Sequence, residues 1–330
     1  MINFLRKKKF FRYQKIIIIG FSQLSLRLYK QLSPNIDIQI IYSQREFVEF
    51  KNEIKKLKNY KIYKTNDIEN YLKKNSRNSK TAIFSLGSTF IFNNKVTKLY
   101  KNRLFNCHNT DLPNWKGGGD ISYRIMNRSN IGATTVHLIS SKIDKGDIVF
   151  QKKYKIKTNN ESPLKLKSII ENKAFEHLKL FFNNLLTGKR FNLKSNDERK
   201  GFYLPRLNTD LHGLINWEWD AKDIVSFINA FSRPYKGAFC FCRNKKIRIF
   251  KIKLIKENFL NHPFMYGLIF RSTKDKVFVV GKNKSLVINK KDIQSKIDLK
   301  EGDRLYVTQE MLDKQKSSRV FYSHKGKFFK

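Results

Sequence analysis

Lys15-Ile-Ile-Ile-Ile-Gly20 is a short, unbroken β-branched run that stops at a glycine. A strand buried on both faces reads this way, because neither face calls for polar residues. Working outward, residues 25–32 have helical character and Ile-Asp-Ile-Gln-Ile-Ile-Tyr at 36–42 predicts a second strand. Apolar residues at 47, 50, 54 and 57 carry a helical spacing, and Thr-Ala-Ile-Phe-Ser-Leu at 81–86 predicts a later strand. Strands alternating with helices predict an α/β domain on a Rossmann-like parallel sheet. The first strand runs into Gly20-Phe-Ser-Gln-Leu-Ser25, which lacks the GxGxxG fingerprint and disfavours a nicotinamide dinucleotide enzyme.

Residues 130–155 turn strand-like again, and 164–186 read as one helix that closes a first domain at 1–190. The stretch 187–208 is polar, basic and without period; a linker is expected at 191–209. A short helix at 221–231 follows, then β-like runs at 238–242, 247–255, 267–271, 277–280 and 286–288. Short strands punctuated by Gly and Asn predict a small C-terminal β-barrel, OB-like, over 210–295, with a tail at 296–330.

The 330 residues carry a net charge of +41. Such a field attracts polyanions, tRNA and phosphorylated small molecules among them. Lys outnumbers Arg about threefold and is spread through every segment, as composition bias alone would also produce. Three cysteines, Cys107, Cys240 and Cys242, form no CxxC pair and make a poor disulfide framework. The apolar stretch at 16–19 is too short for a signal core or a membrane span. A cytoplasmic protein without membrane insertion is expected. The six histidines are dispersed, Cys240 and Cys242 lack partners, and no metal-ligand set is evident.

Chemistry concentrates in Asn106-Cys-His-Asn-Thr-Asp-Leu-Pro-Asn-Trp-Lys-Gly-Gly-Gly119. In an extended backbone the amide of Asn106 and the imidazole of His108 point the same way. Proline and three glycines then force a loop where backbone can approach a ligand closely. Asp144 lies 36 residues beyond His108, in Ile143-Asp-Lys-Gly-Asp-Ile148, a turn between strand-like segments. Alone, Asn106 reads as a turn cap, His108 and His137 as structural histidines, and Asp144 and Asp147 as turn aspartates.

In this order the pieces resemble the formyltransferase family that uses 10-formyltetrahydrofolate. Its pattern is Asn-x-His, then Leu-Pro and a Gly-rich turn, then Asp-x-Gly-Asp. Here Asn106, His108, Leu112-Pro113, Trp115-Lys-Gly117 and Asp144-Lys-Gly-Asp147 match it, with Ile131-Gly-Ala-Thr-Thr-Val-His137 between. Ile215-Asn-Trp217 and Arg233-Pro-Tyr-Lys-Gly-Ala-Phe239 are similar to the C-terminal barrel of the two-domain members. Two departures stand out. The family's Ser-Leu-Leu-Pro is Thr110-Asp-Leu-Pro113 here, and no long basic, glycine-rich insertion follows Tyr42.

The resemblance implies formyl transfer from 10-formyltetrahydrofolate, the co-substrate, to a primary amine, with Asn106, His108 and Asp144 catalytic. Asn106 and His108 would stabilise the oxyanion, each such donor being worth ~3 kcal/mol. Asp144 would orient His108 and relay the amine proton, an acid–base contribution of about 10²–10⁴-fold. It also implies a folate pocket at Leu86, Gly87, Ser88, Ser140, Ser141 and Ile143, and acceptor contacts at Trp115, Lys116, Gly117, Gly118 and Arg206. Trp217 and Arg233 are explained as readily by the barrel core. The absent insertion favours a nucleotide-linked amino sugar as acceptor. Charge and the C-terminal barrel favour methionyl-tRNA as the alternative. A catalytically inactive RNA-binding relative is a third reading, opposed by the intact Asn106, His108 and Asp144.

Overall fold

The computed structural model describes residues 6–10, 12–42, 51–55, 62–64, 67–88, 90–156, 162–197, 199–256, 262–323 and 326–329. The first part of the chain runs β1 (Arg6–Lys9), β2 (Lys15–Ile19), α1 (Gln23–Leu32), β3 (Asp37–Tyr42), α2 (Lys51–Lys55), β4 (Ile62–Lys64), α3 (Ile68–Asn75), β5 (Thr81–Leu86) and α4 (Asn94–Leu99). It continues with β6 (Leu104–His108), β7 (Trp115–Lys116), α5 (Asp120–Met126), β8 (Ile131–Leu138), β9 (Ile148–Lys155) and α6 (Pro163–Leu186). The helix expected at 47–57 lies mostly outside the described residues; its described part, α2, is helical.

Ile16, Ile17, Ile18 and Ile19 have no exposed surface, because β2 is central to a seven-stranded sheet of order β4-β3-β2-β5-β6-β8-β9. β4, β3, β2, β5 and β6 are parallel, whereas β8 and β9 run antiparallel. The expected parallel sheet therefore ends in an antiparallel hairpin. The connection 139–147 is short, and a short connection cannot make the crossover that a parallel pair needs. From β2 the chain winds first toward β3 and β4, then toward β5 and β6. That reversal leaves a crevice outside the carboxyl ends of β2 and β5, where ligands of open α/β sheets bind. Gly20 stands at this point with φ +107°, and a Cβ there would come 2.6 Å from the Leu86 carbonyl oxygen.

Helix α6 starts on Ser162, whose side chain accepts from the Lys165 N–H, with Pro163 in the first turn. It lays Ala174, Leu178, Phe181, Phe182 and Leu185 over the sheet, against Phe84 and Phe105, whose rings stack at 4.7 Å. Each such aromatic contributes about 1.5–3 kcal/mol by leaving water.

The stretch read as a linker is bound to the first domain. β10 (Arg190–Leu193) pairs with β1, Lys194 bridges to Ile148, and β11 (Phe202–Tyr203) runs parallel to β7. Backbone pairing along short edges holds it there together with the buried Phe191 and Leu193, two apolar side chains that are too few to set a period across the whole stretch. After α7 (Thr209–His212) and α8 (Ala221–Ala230) the chain is mostly strand: β12 (Ala238–Cys242), β13 (Lys245–Ile249), β14 (Lys253–Leu254), β15 (Ile269–Ser272), β16 (Lys276–Val279), β17 (Leu286–Asn289) and β18 (Ile293–Gln294). They form two antiparallel sheets, β12-β13-β18 and β14-β17-β16-β15, consistent with the small barrel expected. The run at 247–255 is two strands, interrupted between β13 and β14.

Two joints tie these halves together. Ile125 of α5 and Leu166 and Ile170 of α6 share one core with Ile224, Ile228 and the barrel strands. The Ser122 hydroxyl also donates to the Ala230 carbonyl at 3.0 Å. The tail is packed in its described part: Leu299 and Leu305 enter the barrel core, and α9 (Gln309–Ser317) sets Leu312 against Leu214 and Phe239. Among the described residues no helix is long and apolar enough to cross a membrane.

Candidate active site

β6 carries Asn106 and His108 to the crevice. Both side chains are partly exposed, while Cys107 between them points into the core. Burial pushes the Cys107 thiol up to about 12, so it is no nucleophile at neutral pH. Pairing of β6 with β8 sets His137 opposite Asn106. The two side chains meet, Asn106 Nδ2 to His137 Nε2, at 3.0 Å. His137 Nδ1 stands 2.8 Å from the Leu138 carbonyl and so carries the proton in the neutral ring. Nε2 then accepts from Asn106, which fixes the amide plane and leaves its second N–H for a ligand. The strand position of His137 suggested a structural residue; the structure seats it, 2% exposed, within the cluster.

Asp144 arrives from the β8–β9 loop, in left-handed backbone at φ +52°. One carboxylate oxygen accepts the Gly117 N–H at 2.9 Å and lies 3.8 Å from His108 Nε2. The other is 3.6 Å from His137 Nε2. Burial pushes this carboxyl upward, yet the His108 imidazole and the Gly117 N–H outweigh burial and hold it well below the usual carboxylate range. Asp144 is therefore an anion beside two imidazoles. His108 Nε2 is buried and, among the described residues, has no hydrogen-bond partner. A buried nitrogen left in this way beside a carboxylate is placed to receive and pass a proton.

The supporting loops are tightly specified. Gly146 must be glycine, since a Cβ would lie 1.7 Å from the Leu138 carbonyl oxygen. The loop after His108 is held by Thr135 Oγ1 donating to the Thr110 carbonyl at 2.6 Å, and by Gln151 donating to the Leu112 carbonyl at 2.8 Å. Asp111, the charge that departs from the family pattern, pairs with Lys153 at 2.8 Å.

The other expected site residues divide. Parallel pairing of Ser85 with Asn106 and Leu86 with Cys107 brings Gly87 and Ser88 to the edge beside His108; the Leu86 side chain itself is core. Ser140, Ser141 and Ile143 lie on the loop leading into Asp144, and Ile143 is 42% exposed. Gly117, at φ +94°, lets the Leu204 carbonyl approach, and Arg206 lies over Gly118, where a Cβ would come 2.9 Å from Nε. Trp115 sits with its ring 5.6 Å from the Arg124 guanidinium. Lys116 is 5% exposed, and its ammonium donates to the carbonyl of Lys200 at 2.7 Å, bracing the loop where an acceptor contact was expected. Asn196 and Asp120, which the sequence reading did not single out, also belong here. Asn196 donates to the Asp144 and Gly146 carbonyls, and Asp120 interacts electrostatically with His108.

An ionised carboxylate, an imidazole and an amide donor, gathered outside the ends of a parallel sheet, suit group transfer to an amine on an α/β scaffold. Family models narrow the class: "Formyl transferase" matches residues 51–179 and "Formyl transferase, C-terminal domain" matches residues 209–302. The chain belongs to the formyltransferase family. It is 28% identical over 256 residues to the bifunctional polymyxin resistance protein ArnA of Wigglesworthia glossinidia brevipalpis, a match covering 76% of this chain and 38% of that protein. It is 26% identical over 202 residues to the methionyl-tRNA formyltransferase of Caldanaerobacter subterraneus subsp. tengcongensis, covering 61% of this chain and 62% of the relative. The chain thus spans less than two thirds of the length of both curated relatives. Its fold is similar to that of an N-formyltransferase from Helicobacter canadensis, solved with folinic acid and dTDP-3-aminofucose, at TM-score 0.63 and 17% identity over 84% of this chain and 99% of the other.

Proposed function

We propose that this protein transfers the formyl group of 10-formyltetrahydrofolate to the primary amine of a nucleotide-linked amino sugar. The observation that carries the reading is the convergence of Asn106, His108 and an ionised Asp144 at the sheet's switch point. The amine attacks the formyl carbon, and the carbonyl oxygen takes the negative charge. The free N–H of Asn106 donates to that oxygen, a contribution of ~3 kcal/mol to the transition state. His108 takes the proton the amine sheds, and Asp144 stabilises the imidazolium that results. The proton then passes to N10 of the folate as the C–N bond breaks, so tetrahydrofolate leaves neutral at that nitrogen.

The folate would lie along Gly87, Ser88 and the 140–144 loop, and the acceptor on the side of Gly117, Gly118 and Arg206. The amino-sugar reading is supported by the Helicobacter canadensis enzyme, which holds such a sugar nucleotide on the same fold, and by the absence of a glycine-rich insertion after Tyr42. Kinship with a methionyl-tRNA formyltransferase and the charge of +41 support methionyl-tRNA as a second reading. Calorimetry with folinic acid tests the shared step. The wild-type chain binds it, and a chain that shows no binding would contradict both readings.

A further inference from the structure

Between the first turn of α6 and the barrel domain lies a cleft of about 500 Å³, a size common among small-molecule sites. Leu164 of α6 borders it on one side, and Arg233, Tyr235, Lys236, Arg248 and Phe250 of the barrel domain border it on the other. Helix α6 packs on the sheet face that holds Phe105 and Cys107. Asn106 and His108 alternate to the opposite face, so the cleft opens apart from them.

The turn that brings these cations is firmly held. The Tyr235 N–H donates to the Ser232 carbonyl and the Gly237 N–H to the Phe231 carbonyl, each at 3.0 Å. Gly237, at φ +85°, lies so close to Phe250 that a Cβ there would come 3.1 Å from the ring. Arg233, which the sequence explained as readily by the barrel core, is exposed, and its guanidinium stands 4.7 Å from the Phe250 ring centroid. Stacking of this kind orders the planar fork and leaves its N–H groups for a ligand.

Charge then selects the ligand. Asp210 of α7 pairs with Lys236 at 2.6 Å and also with Arg248. Arg233 has its ring contact and no anionic partner among the described residues. Three cations against one acid leave an excess that a phosphate dianion or a diphosphate would balance, and an arginine fork matches phosphate oxygens in pairs. Leu164, 52% exposed, and Tyr235, 36% exposed, offer apolar surface to the rest of such a ligand. An aromatic ring in this place suits a nucleobase, which stacks whatever its identity.

We infer that this cleft is a nucleotide site: Arg233 and Lys236 hold the phosphates of a nucleoside diphosphate, and its base lies against Tyr235 and Leu164. The same chemistry has two sources, the nucleotide end of the acceptor and a nucleotide free in solution.

Calorimetry of the whole chain with dTDP at pH 7 and 150 mM salt, where the Debye length is about 8 Å, tests this. Wild type binds dTDP. Arg233→Ala loses a dTDP site or weakens it at least about tenfold, as removal of a charged hydrogen bond does, while folinic acid binds as before. Lys314→Ala removes an exposed cation of α9 outside the cleft and leaves dTDP binding unchanged. A wild type without dTDP binding, an Arg233→Ala that binds as wild type does, or equal losses in both variants overturns the inference. Turnover of dTDP-3-aminofucose separates the sources. A KM that rises with the dTDP dissociation constant in Arg233→Ala marks the acceptor's own nucleotide, and an unchanged KM marks a free one. A chain that binds dTDP through Arg233 yet formylates no amino sugar would strike the proposed acceptor and uphold the cleft.

Discussion

The side-chain amide of Asn196 donates to the backbone carbonyl of Asp144 at 2.6 Å and to that of Gly146 at 3.2 Å. Asn196 is 4% exposed and belongs to the strap between α6 and α7. The same strap takes the Lys116 ammonium on the Lys200 carbonyl, and its Phe202 and Leu204 N–H groups donate to the carbonyls of Asn114 and Lys116, each at 2.8 Å. One segment thus fastens the loop that follows His108 to the loop that presents Asp144. Asp144 holds a left-handed conformation that a non-glycine residue adopts at a cost, so the loop needs outside support.

Asn196→Ala is accordingly expected to lower kcat about tenfold or more while leaving folinic acid affinity within about threefold, because a small misplacement of a catalytic group is amplified in rate. Steady-state kinetics with titration calorimetry checks this. An unchanged kcat would show that the strap does not set Asp144.

The ionisation of Asp144 has a consequence for stability. Its folded-state pKa lies below the unfolded value, near 3.9 for an aspartate, so its contribution is fully present above about pH 5 and lost as pH falls through and below about 4. Denaturation of wild type and Asp144→Asn between pH 3 and pH 7 should therefore show a stability difference that is flat at the upper end and shrinks toward the acid end. A difference that grows on acidification would mean that the native state holds Asp144 protonated.

Cys107 neighbours both Asn106 and His108 in sequence, yet it is buried, with its thiol pushed up to about 12. Iodoacetamide at pH 8 should leave activity intact and Cys107 unlabelled in the folded protein. Rapid inactivation with label on Cys107 would place that thiol in the crevice.

Much of this site was legible in the sequence. The run at 15–20 announced the central strand, and alternation along β6 put Asn106 and His108 on one face. His137 was within reach of the same reasoning, since an antiparallel partner of β6 sets one of its own side chains opposite Asn106. Asn196 and the strap were not. Their ties run through backbone carbonyls of distant loops, and a carbonyl leaves no mark in the residue type. Lys116 misled for the opposite reason. A lysine in a glycine-rich loop suggests an anion contact, whereas this one is buried against carbonyls of the strap.

The charge of +41 bears on the acceptor. Phosphate contacts release counterions, so any tRNA binding should fall steeply with salt. Near 150 mM, where the Debye length is about 8 Å, methionyl-tRNA and uncharged tRNA are expected to bind alike, and methionyl-tRNA to be formylated at no useful rate. Efficient formylation under these conditions would replace the amino sugar with methionyl-tRNA and give the charge a function.

The most direct test follows the formyl group itself. Offered 10-formyltetrahydrofolate labelled in the formyl carbon, together with dTDP-3-aminofucose, the wild-type chain should move label to the sugar amine and release tetrahydrofolate. Asn106→Ala, His108→Ala and Asp144→Asn, each folded by circular dichroism, should do so at least about a hundredfold more slowly. Label that stays on the folate with both dTDP-3-aminofucose and methionyl-tRNA, or turnover that survives these substitutions, would contradict the account.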